Sequence, residues 1–342
     1  MNDRVRVGLI GAGRIGRLHG GHLATRVPGA ELVAIADVNR TAAADLGESL
    51  GIESIYGDAD DLLGDARIEA VVICSSTDTH ASFIEAAARA GKHVFCEKPI
   101  DHDLARIDAA LHVVAESGVA FQVGFNRRYD ASFARARALV AEGRIGVPHI
   151  LRITSRDPEP PPLGYVKVSG GIFLDMTIHD FDMARFLIGA DVSEIYATGD
   201  CLIDPEIGAV GDIDTAVTTL RFDNGAIGTI DNSRKAVYGY DQRVEIFGSE
   251  GVIVVSNRKP DQVILTDSAG SHGARPLYFF LERYTQSYID EMVSFVSSVR
   301  EGSEPAVTGV DGREPVVMAY AAQRSLRENR PVSLSEVDVT RS

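Results

Sequence analysis

The chain has 342 residues, 45% of them hydrophobic, which is long enough for two domains of ordinary size, each with its own core. A net charge of −15 and a pI near 5.0 set a nucleic-acid or anionic-membrane partner against repulsion over most of the surface. The three cysteines, Cys74, Cys96 and Cys201, are odd in number and widely spaced, so they exclude a disulfide framework and fail to form a clustered zinc site. A reducing compartment, by default the cytoplasm, is expected, with no metal.

The N-terminus enters a strand with no export leader, and no apolar run approaches the ~18 residues of a membrane span. Val5-Arg6-Val7-Gly8-Leu9-Ile10 reads as a buried strand. It runs into Gly11-Ala12-Gly13-Arg14-Ile15-Gly16 and a helical stretch through Leu23. In that context Gly11 allows the tight turn, Gly13 lets the backbone approach a pyrophosphate, and Gly16 permits close packing of helix on strand. The phosphates then rest on the helix N-terminus. A second apolar strand, Glu31 to Ala36, ends in Asp37, about 20 residues beyond Gly16, where an acid hydrogen-bonds a ribose 2′-hydroxyl. Asp37 argues for NAD over NADP, although Arg40 just beyond it could accommodate a 2′-phosphate.

Alternation continues through Val71–Cys74, Ala81–Ala90, His93–Cys96, Leu104–Glu116 and Ala120–Val123, predicting βαβ units and a parallel sheet. Ligands of such sheets gather at the carboxyl ends of the strands. Asp37, Ser75-Ser76-Thr77 with His80, and Glu97-Lys98 all fall there. From about residue 147 the pattern shifts to runs that read as antiparallel strands: Ile150–Thr154, Ile195–Thr198, Ala216–Phe222, Ala226–Asn232, Arg243–Phe247 and Val252–Val255. Asp223-Asn224-Gly225 is a hairpin signal, because Asn and Gly tolerate the positive φ angles of a tight turn. Pro158 to Pro162 is a stiff extended loop. Helices over 171–187, 284–300 and 311–327 complete the second domain. The expected division is a nucleotide-binding Rossmann domain over 1–125 and an α+β domain with a mostly antiparallel sheet over 126–342, its C-terminal helices free to pack back on the first.

Oxidising an alcohol requires hydride departure and a base within hydrogen-bond reach of the hydroxyl, a task suited to histidine near neutral pH. On a helix Asp175 and His179 are i and i+4 and share a face, and Asp182 continues it. A carboxylate beside an imidazole orients it and stabilises the imidazolium, while Lys98 would favour alkoxide charge on the substrate. The competing reading is a solvated polar stripe behind Leu174, Ile178 and Phe181. Gly170-Gly171 before the helix would let backbone approach a ligand closely. Taken alone, Lys98 could equally be a surface lysine pinned by Glu97.

With Glu97-Lys98-Pro99 after a parallel strand, Gly170-Gly171 leading to Asp175 and His179-Asp180, and a strand-rich second half, nearly the whole chain resembles the glucose-fructose oxidoreductase, inositol dehydrogenase and rhizopine catabolism family. Its inositol dehydrogenase branch is the most similar, through Gly124-Phe125-Asn126-Arg127-Arg128-Tyr129-Asp130, Ser155-Arg156-Asp157-Pro158 and Lys167 to Phe173. The resemblance implies Lys98, Asp175 and His179 as the catalytic residues, with His179 the base. Arg127, Asp157 and Tyr238 would contact polyol hydroxyls, and the open face of the second sheet would build a homotetramer. It implies NAD-dependent oxidation of myo-inositol to its 2-keto product. The alternatives are another inositol isomer, a pyranose sugar, or a glycosidase that uses tightly held NAD for transient oxidation.

Overall fold

A computed structural model describes residues 4–338 and divides the chain into two compact units. The first runs to Asn126 and includes Gln286–Glu314; the second is Arg127–Thr285 with the chain from Pro315 onward.

In the first unit six strands, β1 (Val5–Ile10), β2 (Ala30–Ala36), β3 (Ser54–Tyr56), β4 (Ala70–Ile73), β5 (His93–Glu97) and β6 (Phe121–Gly124), form a parallel sheet in the order β3-β2-β1-β4-β5-β6. All four residues of β4 are buried, as expected of a strand covered on both faces. The order reverses between β1 and β4, so their carboxyl ends flank the crevice in which such sheets bind ligands. Helices α1 (Arg14–Thr25), α2 (Arg40–Leu50), α3 (Ala59–Leu63), α4 (Thr77–Arg89) and α5 (Leu104–Ser117) join the strands.

One helix belongs elsewhere than its sequence neighbours suggest. The segment read as part of the second domain, observed as Thr285–Glu301, lays Met292, Phe295 and Val296 into a core with Val7, Leu9, Val72 and Phe95 of the nucleotide-type sheet. Its apolar stripe predicts burial, but periodicity alone does not say against which sheet.

The second unit is built on a seven-stranded sheet. Its strands are β7 (Pro148–Arg156), β8 (Val192–Asp200), β9 (Thr215–Phe222), β10 (Ile227–Ser233), β11 (Asp241–Gly248), β12 (Val252–Val255) and, beyond a separate hairpin of β13 (Ile264–Asp267) and β14 (Gly270–Gly273), the short β15 (Val332–Ser333). The order is β12-β11-β7-β10-β9-β8-β15, antiparallel except for the β7–β10 pair, which is parallel. The Asp223–Gly225 hairpin forms as read, although only Gly225 takes a positive φ (88°), with Asn224 instead accepting the Ala226 N–H through its side chain. Period-two alternation buries Ala216, Leu220 and Phe222 on one face of β9 and leaves Val217 on the other.

The helix read over 171–187 has two parts: a π-helical turn at Phe173–Thr177 and an α-helix at Ile178–Ile188. The α-helix packs on β7 and on the helix Ala131–Ala141.

Candidate active site

At the β1 carboxyl end Gly11 has φ 99°, and a Cβ on it would lie 2.6 Å from the Cys74 carbonyl carbon. A Cβ on Gly16 would fall 1.9 Å from Gly11 O, so helix and strand meet at contact distance there. At Gly13 the same atom would meet nothing within 4 Å, leaving the approach to α1 open. No side chain caps α1 and no acid lies in its first turn, so its N–H groups and positive dipole end suit a pyrophosphate. Gly13 and Arg14 are exposed and Ile15 is half-buried.

Asp37 is held in place before any ligand arrives. Its Oδ2 accepts the Ala12 N–H at 2.6 Å and its Oδ1 the Asn39 N–H at 2.7 Å. A carboxylate fixed against the glycine loop keeps lone pairs for a ribose diol and repels a 2′-phosphate. Arg40 opens α2 at the surface.

On the neighbouring strand ends, the Ser75 hydroxyl pairs with Thr79 at 2.7 Å, Ser76 is exposed and Thr77 is half-buried. His80 is buried, with Nδ1 2.8 Å from the Pro99 carbonyl and Nε2 3.1 Å from that of Ser75. Its ring thus links the Ser75 and Pro99 loops. Glu97 Oε2 accepts the Lys98 N–H at 3.3 Å, and the Lys98–Pro99 peptide is cis.

In the second unit the solvated-stripe reading of the helix fails. Asp180 and Asp182 are fully buried, as are Leu174, Ile178 and Phe181, while Asp175 and His179 are half-buried. The buried acids are paired: Arg128 grips Asp182 through Nε (3.0 Å) and Nη2 (2.6 Å), and Arg127 Nη1 reaches Asp180 Oδ1 at 2.5 Å. Asn232 supplies Asp180 Oδ2 with a donor at 2.8 Å and itself accepts from Thr177 at 2.8 Å. Such fully hydrogen-bonded charge networks fix geometry more than they add stability. Arg127, only 6% exposed, also approaches the Tyr240 hydroxyl through Nη2. Its guanidinium thus holds Asp180 and Tyr240.

Asp175 accepts from the Tyr165 hydroxyl at 2.8 Å and from Arg234 Nη1 at 3.1 Å. Arg234 is 1% exposed, and its Nη2 reaches Asp212 Oδ2 at 3.4 Å. Asp212 Oδ1 in turn receives the Ile172 N–H at 2.9 Å and would sit 2.9 Å from a Cβ on Gly171, where φ is 86°. That glycine therefore makes room for Asp212. Sequence reading missed Arg234 and Asp212 because no spacing links them to the helix; the apolar strand running into Asn232-Ser233-Arg234 was the only signal.

Asp157 is half-buried, its carboxyl pushed up to about 7, first by desolvation and then by the nearby Asp175, against the opposing pull of Arg234 and Arg127. Tyr238, 39% exposed, donates to Asp241 Oδ2 at 2.6 Å and receives Arg156 Nη1 at 3.2 Å. The site thus offers a half-exposed imidazole, a braced carboxylate and a carboxyl that titrates near neutrality.

Residues 5–125 match the oxidoreductase family with an NAD-binding Rossmann fold, and residues 133–254 match the GFO/IDH/MocA C-terminal domain. The chain belongs to the GFO/IDH/MocA oxidoreductase family. It is 51% identical to the myo-inositol 2-dehydrogenase of Thermotoga maritima, over 97% of this chain and 99% of the relative. It is 46% identical to the inositol 2-dehydrogenase of Rhizobium meliloti, over 97% and 99% respectively. Among solved structures, the scyllo-inositol dehydrogenase of Lactobacillus casei with bound NAD(H) and scyllo-inositol superposes with a TM-score of 0.91 at 31% identity, covering 97% of this chain and 99% of that one. As an NAD-binding oxidoreductase of this family, the chain carries the fold expected from its motifs. Among the described residues, no helix is long and apolar enough to cross a membrane.

Proposed function

We propose that the chain is an NAD-dependent inositol 2-dehydrogenase of the cytoplasm, oxidising myo-inositol to 2-keto-myo-inositol (scyllo-inosose). The observation that carries the chemistry is the helix Ile178–Ile188: its acids Asp180 and Asp182 are buried and neutralised by arginines, while His179 and the preceding Asp175 remain half-exposed. Full-length likeness to relatives named for inositol oxidation supplies the substrate class.

When bound, NAD supplies the hydride acceptor. Gly11, Ala12, Gly13, Arg14, Ile15 and Gly16 receive the pyrophosphate, Asp37 the ribose, and Ser75, Ser76 and Thr77 line the adjoining strand end. His179 takes the proton from the hydroxyl oxygen as hydride leaves the carbon that bears it, Asp175 stabilises the resulting imidazolium, and Lys98 donates to the oxygen as negative charge develops there. Asp157 and Tyr238 contact ring hydroxyls, and Arg127 serves the site by holding Asp180. Exposed Val217, Ile227, Phe247, Val252 and Val254 on the second unit's sheet form the face through which we propose homotetramer assembly.

Scyllo-inositol is the second reading, favoured by the likeness to the L. casei enzyme. Initial rates of absorbance at 340 nm with a panel of inositols and hexoses, run with NAD and with NADP, separate these readings. Inactivity toward both inositols with good turnover of a hexose rejects the assignment. Cleavage of a glycoside without net NADH identifies a glycosidase.

A further inference from the structure

Beneath the glycine loop lies a cluster that the reaction does not use. His19 of α1 is fully buried, its Nε2 2.7 Å from Glu97 Oε1 and 3.9 Å from Glu291 Oε1. Glu291, on the helix Thr285–Glu301, is also fully buried, and neither of its carboxylate oxygens has a hydrogen-bond partner. Phe95 and Tyr288 stand edge-on to the His19 ring at 5.3 and 5.6 Å, and the Cys74 and Cys96 thiols border the group from β4 and β5. His22, the other titratable group facing His19 along α1, is pushed down to about 4 by burial, His19 and Arg26, and brings no cation at neutral pH.

His19 can answer one carboxylate, and Glu97, which also accepts the Lys98 N–H, is the one it touches. A second ionised carboxylate with no donor in this apolar surround is strongly disfavoured. Burial, and then the charge on Glu97, push Glu291 well above the ordinary carboxyl range.

We propose that Glu291 is a positioning residue that carries a proton at neutral pH, and that its ionisation at alkaline pH draws His19 away from Glu97 and loosens the main chain at Lys98. The consequence for turnover rests on the dehydrogenase reading, whereas the protonation state does not.

The experiment compares the full-length protein with its Glu291→Gln variant. Infrared spectra of the wild type at pH 8 show the carbonyl stretch of a protonated carboxyl group, and the variant lacks it. From pH 7 to 10 the melting temperature of the wild type falls more steeply than that of the variant, and the ratio of turnover at pH 9.5 to that at pH 7.5 is at least threefold lower in the wild type. Loss of the turnover difference alone, with the infrared and melting results intact, discards the Lys98 link and with it the positioning role. Absence of the protonated band in the wild type overturns the proposal even if the variant does not fold. A melting-temperature rise on adding zinc or manganese, seen in the wild type only, also overturns it and makes the cluster a cation site.

Discussion

Replacing Arg234 with alanine removes the guanidinium that bridges Asp175 and Asp212. Breaking a buried pair from one side costs about 3–5 kcal/mol, because the partner charges remain. Here the acids keep 14% and 11% side-chain exposure, so solvent recovers part of that and about 3 kcal/mol is expected. At roughly 2–4 °C per kcal/mol for a unit of this size, melting falls by about 6–12 °C. Asp175 would still accept from Tyr165, but Asp212 would no longer tie it to the main chain at Ile172. Turnover should therefore drop about tenfold, equivalent to ~1.4 kcal/mol of transition-state stabilisation. Arg234 also opposes the upward shift of Asp157, so any inflection that Asp157 sets in kcat/KM moves to higher pH in the variant. Lysine at 234 restores the charge but not the two-pronged reach, and recovers only part of each loss. Thermal melts and kcat/KM profiles from pH 5 to 9 are the assays. A variant melting within 2 °C of the wild type, with its inflection unmoved, refutes this account of the Asp175 brace.

His179→Ala and Lys98→Ala each lower turnover by roughly 10² to 10⁴, while NAD binding measured by fluorescence survives His179→Ala. The double variant should lose far less than the product of the single losses if, as proposed, both groups serve one oxygen; multiplicative losses would separate their roles. Oxidation should rise with pH as the base becomes neutral, and a rate flat from pH 6 to 10 counts against histidine. For Asp157 the folded pKa of about 7 lies above the usual carboxyl value of 3.8, so its contribution to stability is full below pH ~4 and lost as pH rises through 7. Asp157→Asn removes that loss, and its stability advantage over the wild type should grow from pH 4 to 7, by at most about 4 kcal/mol, then level off. Parallel denaturation midpoints across that range would show that Asp157 is ionised throughout.

The local chemistry of the first unit was legible because it is written in short segments. A strand, three glycines with different steric duties, and an acid on the next strand end sit within 33 residues, from Val5 to Asp37, and the structure assembles them with little outside help. Lys98, Asp175 and His179 are proposed from short motifs and spacing and from the family resemblance. Less legible were the parts where a residue's role depends on what lies across the fold. That the His80 ring links the Ser75 and Pro99 loops is visible only in the fold. That Gly171 leaves room for Asp212 is likewise visible only in the fold.

By itself the sequence determined the βαβ order and the dinucleotide loop, since each follows from periodicity and backbone sterics over a few neighbouring residues, while the proposed catalytic residues rest on side-chain chemistry and the family resemblance. Only tertiary structure decided that the helix at 285–301 completes the first core, that Arg234 braces Asp175, and that Glu291 faces His19 in the dark of that core. The two side-chain pairings join residues 59 and 272 positions apart, and neither a hydrophobic stripe nor a charge carries the address of its partner.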